Sequence, residues 1–358
     1  MPKNPTILDV ARTAGVSKST VSRVLQGEDA SVAATTRNQV LDAMQSLGYA
    51  HNAVASGLRR NRTHMVLLLI PNIDNPFWPG VARGLQDRIS QAGYSVVFAN
   101  SDWNLAQEQA ILEMARRNRF DAIAINPAYV QPADLSKLDV PIVILGLRRD
   151  YATFDCVGSD SYRGTLQALT YLHDLGHRRI GLIWGNRGSS RSRLRAYHDF
   201  YSTHGYAVDE TLIISAPYSL EGGRLATHQF LDLAQPPTAI FAANDVLALA
   251  TIQVALARGV RVPEDLSVVG MDDIESASMS TPLLTTIAKE KYEIGRCAAE
   301  MLLNRLNNGA PTAPQHTVIA CTLVERQSAA PLHQGAAVHD AVSHRDAKAP
   351  REVAAISN

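Results

Sequence analysis

The densest chemistry in the chain lies near its start. Lys18, Ser19, Ser22 and Arg23 fall together in KSTVSRVL, where short hydroxyls and cations share one stretch of a helical pattern. That composition suits phosphate oxygens and the edges of base pairs. Other combinations are weaker. His173 and His177 have the i, i+4 spacing of a metal-binding helix, but Gly176 ends the helix between them. Neither a third ligand nor a catalytic Glu stands beside them, and they read as two surface histidines. GNRGSSRSR (185–193) follows an apolar run, yet it fits neither the P-loop nor the dinucleotide fingerprint and reads as a loop lining a ligand cleft. Cys156, Cys297 and Cys321 lie far apart, odd in number and without zinc spacing, as buried thiols of a reducing compartment do. No catalytic constellation emerges, so no enzymatic activity, cofactor or metal is expected.

The elements that position the basic cluster are legible around it. Thr6 can cap a helix over residues 7–12, with Asp9 in the capping-box position, and Gly15 supplies the left-handed residue that ends it. Ser17 then caps a second helix from Lys18 to about Leu25. Two short helices joined by a Gly-containing turn form a helix-turn-helix. Ala11 is small where the two must approach, and Val10, Val16 and Val21 supply apolar contacts. Thr36 starts a third helix over 37–47, which Gly48 stops. A helical hairpin without a ligand is the plainer reading of a generic pair; the exposed basic face argues for DNA.

Composition sharpens the division. The chain has 358 residues, 46% of them apolar and 19% charged, which suits two or three folded domains and excludes wholesale disorder. Formal net charge is zero, but residues 1–63 carry +4 and the remainder −4. A basic head on an acidic body suggests a polyanionic partner for the head alone. The start, MPKNPTILDVARTAG, lacks the apolar run of a signal peptide, and Met65–Ile70 is far too short to span a bilayer, so a cytoplasmic protein without membrane contact is expected.

From about 65 to 325, apolar runs alternate with helical patterns: MVLLLI (65–70), YSVVFAN (94–100), FDAIAIN (120–126), VPIVILG (140–146), RIGLIWG (179–185), AIFAAN (239–244) and LSVVGM (266–271). Short continuous apolar runs are strands buried on both faces, and the alternation predicts α/β folding around parallel sheets. Residues 329–358 lack periodicity and read as a disordered tail. Leu332 is their only leucine, so no coiled-coil seam is available there.

TILDVARTAGVSKSTVSRVL resembles the signature of the LacI/GalR family of bacterial repressors, nearly position for position. SLGYAHNAVASGLRRNRT (46–63) is similar to that family's hinge helix. The resemblance continues through NPFW, LGHRRIGLI, AIFAAND, VPEDLSVVGMDD and PLLTTI, covering roughly residues 5–325. It implies an all-α helix-turn-helix head (1–50), a hinge (51–63) and an α/β periplasmic-binding-protein-like body (64–328). That body would have two doubly wound parallel-sheet subdomains, 64–162 plus 290–322 and 163–289 plus 323–328. Carried over by residue, Lys18 and Ser19 read operator bases and Arg23 matches the motif arginine. Thr6, Ser17, Thr20 and Ser22 make phosphate or adjacent contacts. Asn52, Ala53 and Ala55 line the hinge helix, and Leu58 wedges into the minor groove, unstacking a base step to kink the duplex.

In the body the resemblance implies a small-molecule effector clamped between subdomains, at the carboxyl ends of the strands. Phe77, Asp160, Arg193, Tyr218, Asn244 and Asp272 match family ligand positions. Ser161, Ala196 and Met271 depart from the residues usual beside them. Asp160 and Asn244 could instead cap the following helices, Phe77 could be core, and Asp273 is assigned to capping. Carboxylates, an amide and a guanidinium can satisfy vicinal hydroxyls while aromatic rings cover a sugar's apolar faces. A sugar or sugar acid is therefore expected, with a purine or sugar phosphate as alternatives. Arg148, Arg149, Arg187 and Arg191 near strand ends hint at an anion or are solvated surface charge. The reading is a homodimeric, ligand-responsive repressor of a carbohydrate-utilisation operon on a roughly palindromic double-stranded DNA operator. The competing one is a cytoplasmic sugar-binding or sugar-modifying protein with an incidental helical head.

Overall fold

The structure is a computed structural model that describes residues 5–25, 32–49, 62–185, 191–308 and 313–332. It separates into two units, Met1–Thr63 and His64–Asn358.

The first unit contains α1 (Ile7–Thr13), α2 (Lys18–Leu25) and α3 (Ala34–Leu47). Thr6 and Asp9 form the complete capping box at α1, and Gly15, at φ +66°, makes the left-handed step between α1 and α2. Val10, Ala11, Val21, Val24, Val40 and Ala43 are all buried in one small core, with Val16 packed at its edge. α3 begins at Ala34, earlier than the Thr36 start expected from the sequence, and Ala33 at its cap position makes no side-chain bond. Packing of Val40 and Ala43 sustains this helix without a polar cap. The expected hinge residues Asn52, Ala53 and Leu58 lie outside the described residues.

The second unit opens with β1 (Met65–Ile70), α4 (Phe77–Ser90), β2 (Ser95–Asn100), α5 (Leu105–Arg117), β3 (Ala122–Ile125), α6 (Pro132–Leu135), β4 (Ile142–Leu145) and β5 (Asp155–Ser159). There follow α7 (Ser161–Asp174), β6 (Ile180–Trp184), α8 (Arg191–Thr203), β7 (Ile213–Ser215), α9 (Leu220–Leu231), β8 (Ala239–Ala242) and α10 (Asp245–Ala257). β9 (Ser267–Asp272), β10 (Thr285–Lys289), α11 (Lys291–Asn308), β11 (His316–Ile319) and β12 (Cys321–Val324) complete it. The first sheet runs β11-β5-β4-β3-β1-β2, all parallel; the second runs β12-β10-β9-β8-β6-β7, parallel except for β12.

MVLLLI shows why both faces of a sheet must be covered. Val66, Leu68 and Ile70 point into one core, Leu67 and Leu69 into another, and all five are essentially inaccessible. The second sheet repeats the arrangement with two further cores. α4 and α11 lie close together because two glycines permit it: a methyl on Gly84 would stand 1.9 Å from the Tyr292 carbonyl oxygen, and one on Gly295 1.9 Å from that of Val81. Arg305 of α11 ties to Asp155 of β5 at 2.6 Å, and both are largely buried.

The chain passes between sheets after β5, after β10 and between β11 and β12. The last passage falls at Ala320, so Cys321 and Thr322 belong to the second sheet rather than the first, where the expected 290–322 boundary would place them. Residues 329–332, read from the sequence as tail, pack on the second half: Ala330 N–H donates to Ser267 Oγ at 3.1 Å and Leu332 N–H to the Leu175 carbonyl at 2.8 Å. Among the described residues no helix is long and apolar enough to cross a membrane.

Candidate functional site

In the head, the second helix presents Lys18, Ser19 and Arg23 to solvent, while Val21 and Val24 anchor its opposite face. Ser17 caps α2, its Oγ accepting the Thr20 N–H at 3.1 Å. The same hydroxyl bonds those of Ser19 and Thr20 at 2.7 and 2.9 Å, and Ser22 is partly buried. Thr6 is occupied by its capping box. The basic side chains are thus displayed by a framework whose hydroxyls hold the helix starts.

In the body, doubly wound order puts a crevice at the carboxyl end of each sheet where the chain reverses direction, between β1 and β3 and between β6 and β8. A cavity of about 250 Å³ opens there, and Phe77, Asp160, Arg193, Tyr218, Asn244 and Asp272 all line it. Phe77 and Asp160 come from the first half, the other four from the second. Among the described residues no cluster of His, Cys, Asp and Glu could hold a metal.

Each of the six has a definite local reason for its place. Asp160 caps α7, its Oδ1 accepting the Arg163 N–H at 3.0 Å, and Asn244 caps α10, its Oδ1 accepting the Leu247 N–H at 3.0 Å. Capping and cavity lining coexist, because a cap at a strand-to-helix turn stands where the crevice opens. Asn244 uses only its oxygen in this way; its Nδ2 is buried without a partner among the described residues, as is Ser159 Oγ in the opposite wall. Arg193 is 5% exposed, with Nε donating to Met271 Sδ at 3.2 Å and Nη1 to the Tyr218 hydroxyl at 3.3 Å. Phe77 lies against the first core and meets Trp78 edge-on at 5.1 Å.

Sequence reasoning missed Lys289. It ends β10 buried, with Nζ 2.9 Å from Asp272 Oδ1 and 5.2 Å from the centre of the Phe77 ring. Burial draws its pKa down, reinforced by the Arg193 cation and opposed by Asp272. A lysine closing the apolar run TTIAK gives no local signal of burial, since lysine ordinarily reaches water. Asp272 and Asp273 both adopt positive φ, and Lys291 Nζ donates to the backbone carbonyls of both at 2.7 Å. Asp273 pairs with Arg326 at 2.7 Å, so the expected capping role is replaced by an ion pair.

Two further expectations are corrected. His177 is no surface residue: it is 2% exposed, with Nδ1 at 2.9 Å from Thr238 Oγ1 and Nε2 at 3.0 Å from Ser267 Oγ. His173 packs with Phe200, His204 and Tyr206 rather than standing in solvent. Arg148 turns from the cavity, donating to the Pro127 carbonyl and covering the Tyr151 ring. Arg187 lies outside the described residues.

Comparison with known proteins places both halves. Residues 6–52 match the model for bacterial regulatory proteins, lacI family, and residues 169–329 that for a periplasmic binding protein-like domain. The HTH-type transcriptional regulator DegA of Bacillus subtilis (strain 168) is 34% identical over 336 residues, spanning 92% of this chain and 99% of DegA. The solved structure of the lac repressor dimer bound to operator and the anti-inducer ONPF matches with TM-score 0.80 at 27% identity, covering 92% of this chain and 100% of that one. A complex of the regulator CelR with cellobiose matches with TM-score 0.68 at 31% identity, over 90% and 99% of the two chains. A helix-turn-helix head joined to a ligand-cleft body defines a ligand-responsive, DNA-binding transcriptional repressor, not an enzyme. The chain belongs to the lacI family of bacterial regulatory proteins.

Proposed function

We propose that the protein represses a carbohydrate-utilisation operon in the bacterial cytoplasm, binding a roughly palindromic operator as a homodimer and releasing or tightening on it when a small polyhydroxylated effector enters the cavity. Two-fold protein symmetry and operator symmetry go together in such dimers. Lys18 and Ser19 read bases, Arg23 and neighbouring hydroxyls position the helix on phosphates, and Asn52, Ala53 and Leu58 engage the minor groove. Phe77, Asp160, Arg193, Tyr218, Asn244 and Asp272 hold the effector.

One observation carries this reading: six side chains far apart in sequence, drawn from both sheets, converge on one cavity at the strand ends. Closure of the halves on a ligand would exclude water, where each hydrogen bond to a charged group is worth roughly 1.5–3 kcal/mol. The test is calorimetry over sugars, sugar acids, sugar phosphates and purines with the parent, then Arg193→Ala. The variant is expected to bind operator normally and to lose the effector; parent-like effector affinity would move the site elsewhere. A purine hit would overturn the ligand class and leave the repressor standing.

A further inference from the structure

The charges in the cavity wall do not cancel. Asp272 is neutralised by Lys289 at 2.9 Å, and Asp160 lies 3.4 Å from Arg163. Arg193 is left over. Its guanidinium, almost completely buried, reaches a thioether and a phenol but no carboxylate among the described residues. A buried cation without a counter-charge is costly, and ordinarily it is paired. Arg195, at the rim, stacks over the Tyr162 ring at 4.6 Å and also lacks an ion-pair partner among the described residues.

Two donors left over in the wall have the same sense. Asn244 has its oxygen committed to the helix cap, which fixes the amide orientation and leaves the Nδ2 donor buried without a partner among the described residues. Arg193 Nη2 has no hydrogen-bond partner among the described residues, and guanidinium can only donate. A wall offering donors and positive charge is complementary to an acceptor-rich anion, and a planar guanidinium favours the two-pronged grip on carboxylate or phosphate. A cavity of about 250 Å³ is at the small end for ligand sites, which suits a single ring or a short polyol chain.

We propose that the effector is an anion: a small polyhydroxylated molecule whose carboxylate or phosphate is received by Arg193, with Lys289 behind it and Asn244 donating beside it. This rests on the effector-site reading above and narrows its ligand class.

The experiment uses the full chain and simple probe anions. Thermal melting of the parent in inorganic phosphate is compared with chloride at matched ionic strength, and a saturable rise in Tm in phosphate alone is expected. Calorimetry then compares matched pairs: D-gluconate and D-glucuronate against D-glucose, ribose 5-phosphate against ribose. The acid or phosphate member is expected to bind roughly 10- to 100-fold more tightly than its neutral partner, the ratio that one charged hydrogen-bond pair gives. The carboxylate and phosphate arms separate the two sources of anion. Arg193→Gln should abolish the preference, and the paired change Lys289→Gln with Asp272→Asn, which removes both charges of the buried pair together, should lessen it. Neutral sugars binding as tightly as their acids through Arg193 would overturn the anion and leave the effector site in place. No stabilisation by phosphate and no tighter binding of any acid would likewise overturn it. Ligand binding indifferent to Arg193→Gln would overturn both.

Discussion

The head and the body solve opposite electrostatic problems. In the head, Lys18 and Arg23 are exposed and rest on a small apolar core to which they contribute nothing. In the body, Arg193, Asp272 and Lys289 are each less than a tenth exposed and hold one another's surroundings in place. The difference follows from the partners. A duplex brings its own dense charge and is met by solvated cations, which release counterions on contact. A small molecule must be stripped of water, so the groups that receive it are pre-positioned in a low dielectric where each charge needs an answer. Function and stability are therefore separable in the head and entangled in the body.

The largest test of that contrast breaks the buried pair. Lys289→Met or Asp272→Ala alone leaves one buried charge unanswered and should cost the body about 3–5 kcal/mol in chemical denaturation, whereas replacing both by apolar residues should recover much of the loss. A single change as mild as a surface substitution would show that water reaches the pair.

Acidity should act on the body through two buried groups. Asp245 is enclosed behind the cavity, accepting from the Ile274 N–H at 2.8 Å and from Thr286, and burial with repulsion from Asp272 raises its pKa to about 7 from 3.8. Its native pKa is the higher one, so its contribution is full below about pH 4 and is lost as pH rises to about 7. Asp245→Asn should flatten that part of the stability profile. His177 acts oppositely: burial lowers its pKa, so its contribution is present above 6.5 and is lost as pH falls. A melting profile for Asp245→Asn that follows the parent's slope throughout would refute the assignment.

In the head, smaller effects are expected. Thr6→Ala removes the capping box at α1 and should cost about 1 kcal/mol of stability. Lys18→Ala should change stability by no more than about 0.5 kcal/mol while altering which operator bases are preferred. A melting shift as large for Lys18→Ala as for Thr6→Ala would erase the separation of function from stability in the head.

What was legible in the sequence follows the range of the interactions. The head was nearly transparent because its signals are local: Thr6 with Asp9, Gly15 after Ala14, Ser17 before Lys18. Only the start of α3 slipped, since it owes nothing to a capping side chain. In the body, strands such as 65–70 announced themselves as unbroken apolar runs, but β5, DCVGS, did not. Its aspartate is held by Arg305 from 150 positions away. Asp160 and Asn244 were visible because strand ends feed the crevice. Lys289 was not, because its burial depends on β9 and β12 closing on both sides of β10. The same distance in sequence hid His177, whose partners are Thr238, Ser267 and Ala330.

If the cavity of the body governs what the exposed head does on DNA, operator affinity must follow the occupancy of that cavity. Fluorescence anisotropy with operator selected from random duplexes tests this, measured for the parent and for Arg193→Ala across the same panel of sugars, sugar acids and sugar phosphates. The parent should change its operator affinity with at least one of these, and DNA should change that ligand's affinity by the same factor, as linkage requires. Arg193→Ala should bind operator as the parent does and respond to none of them. An Arg193→Ala protein that still responds like the parent would show that the cavity does not control the head.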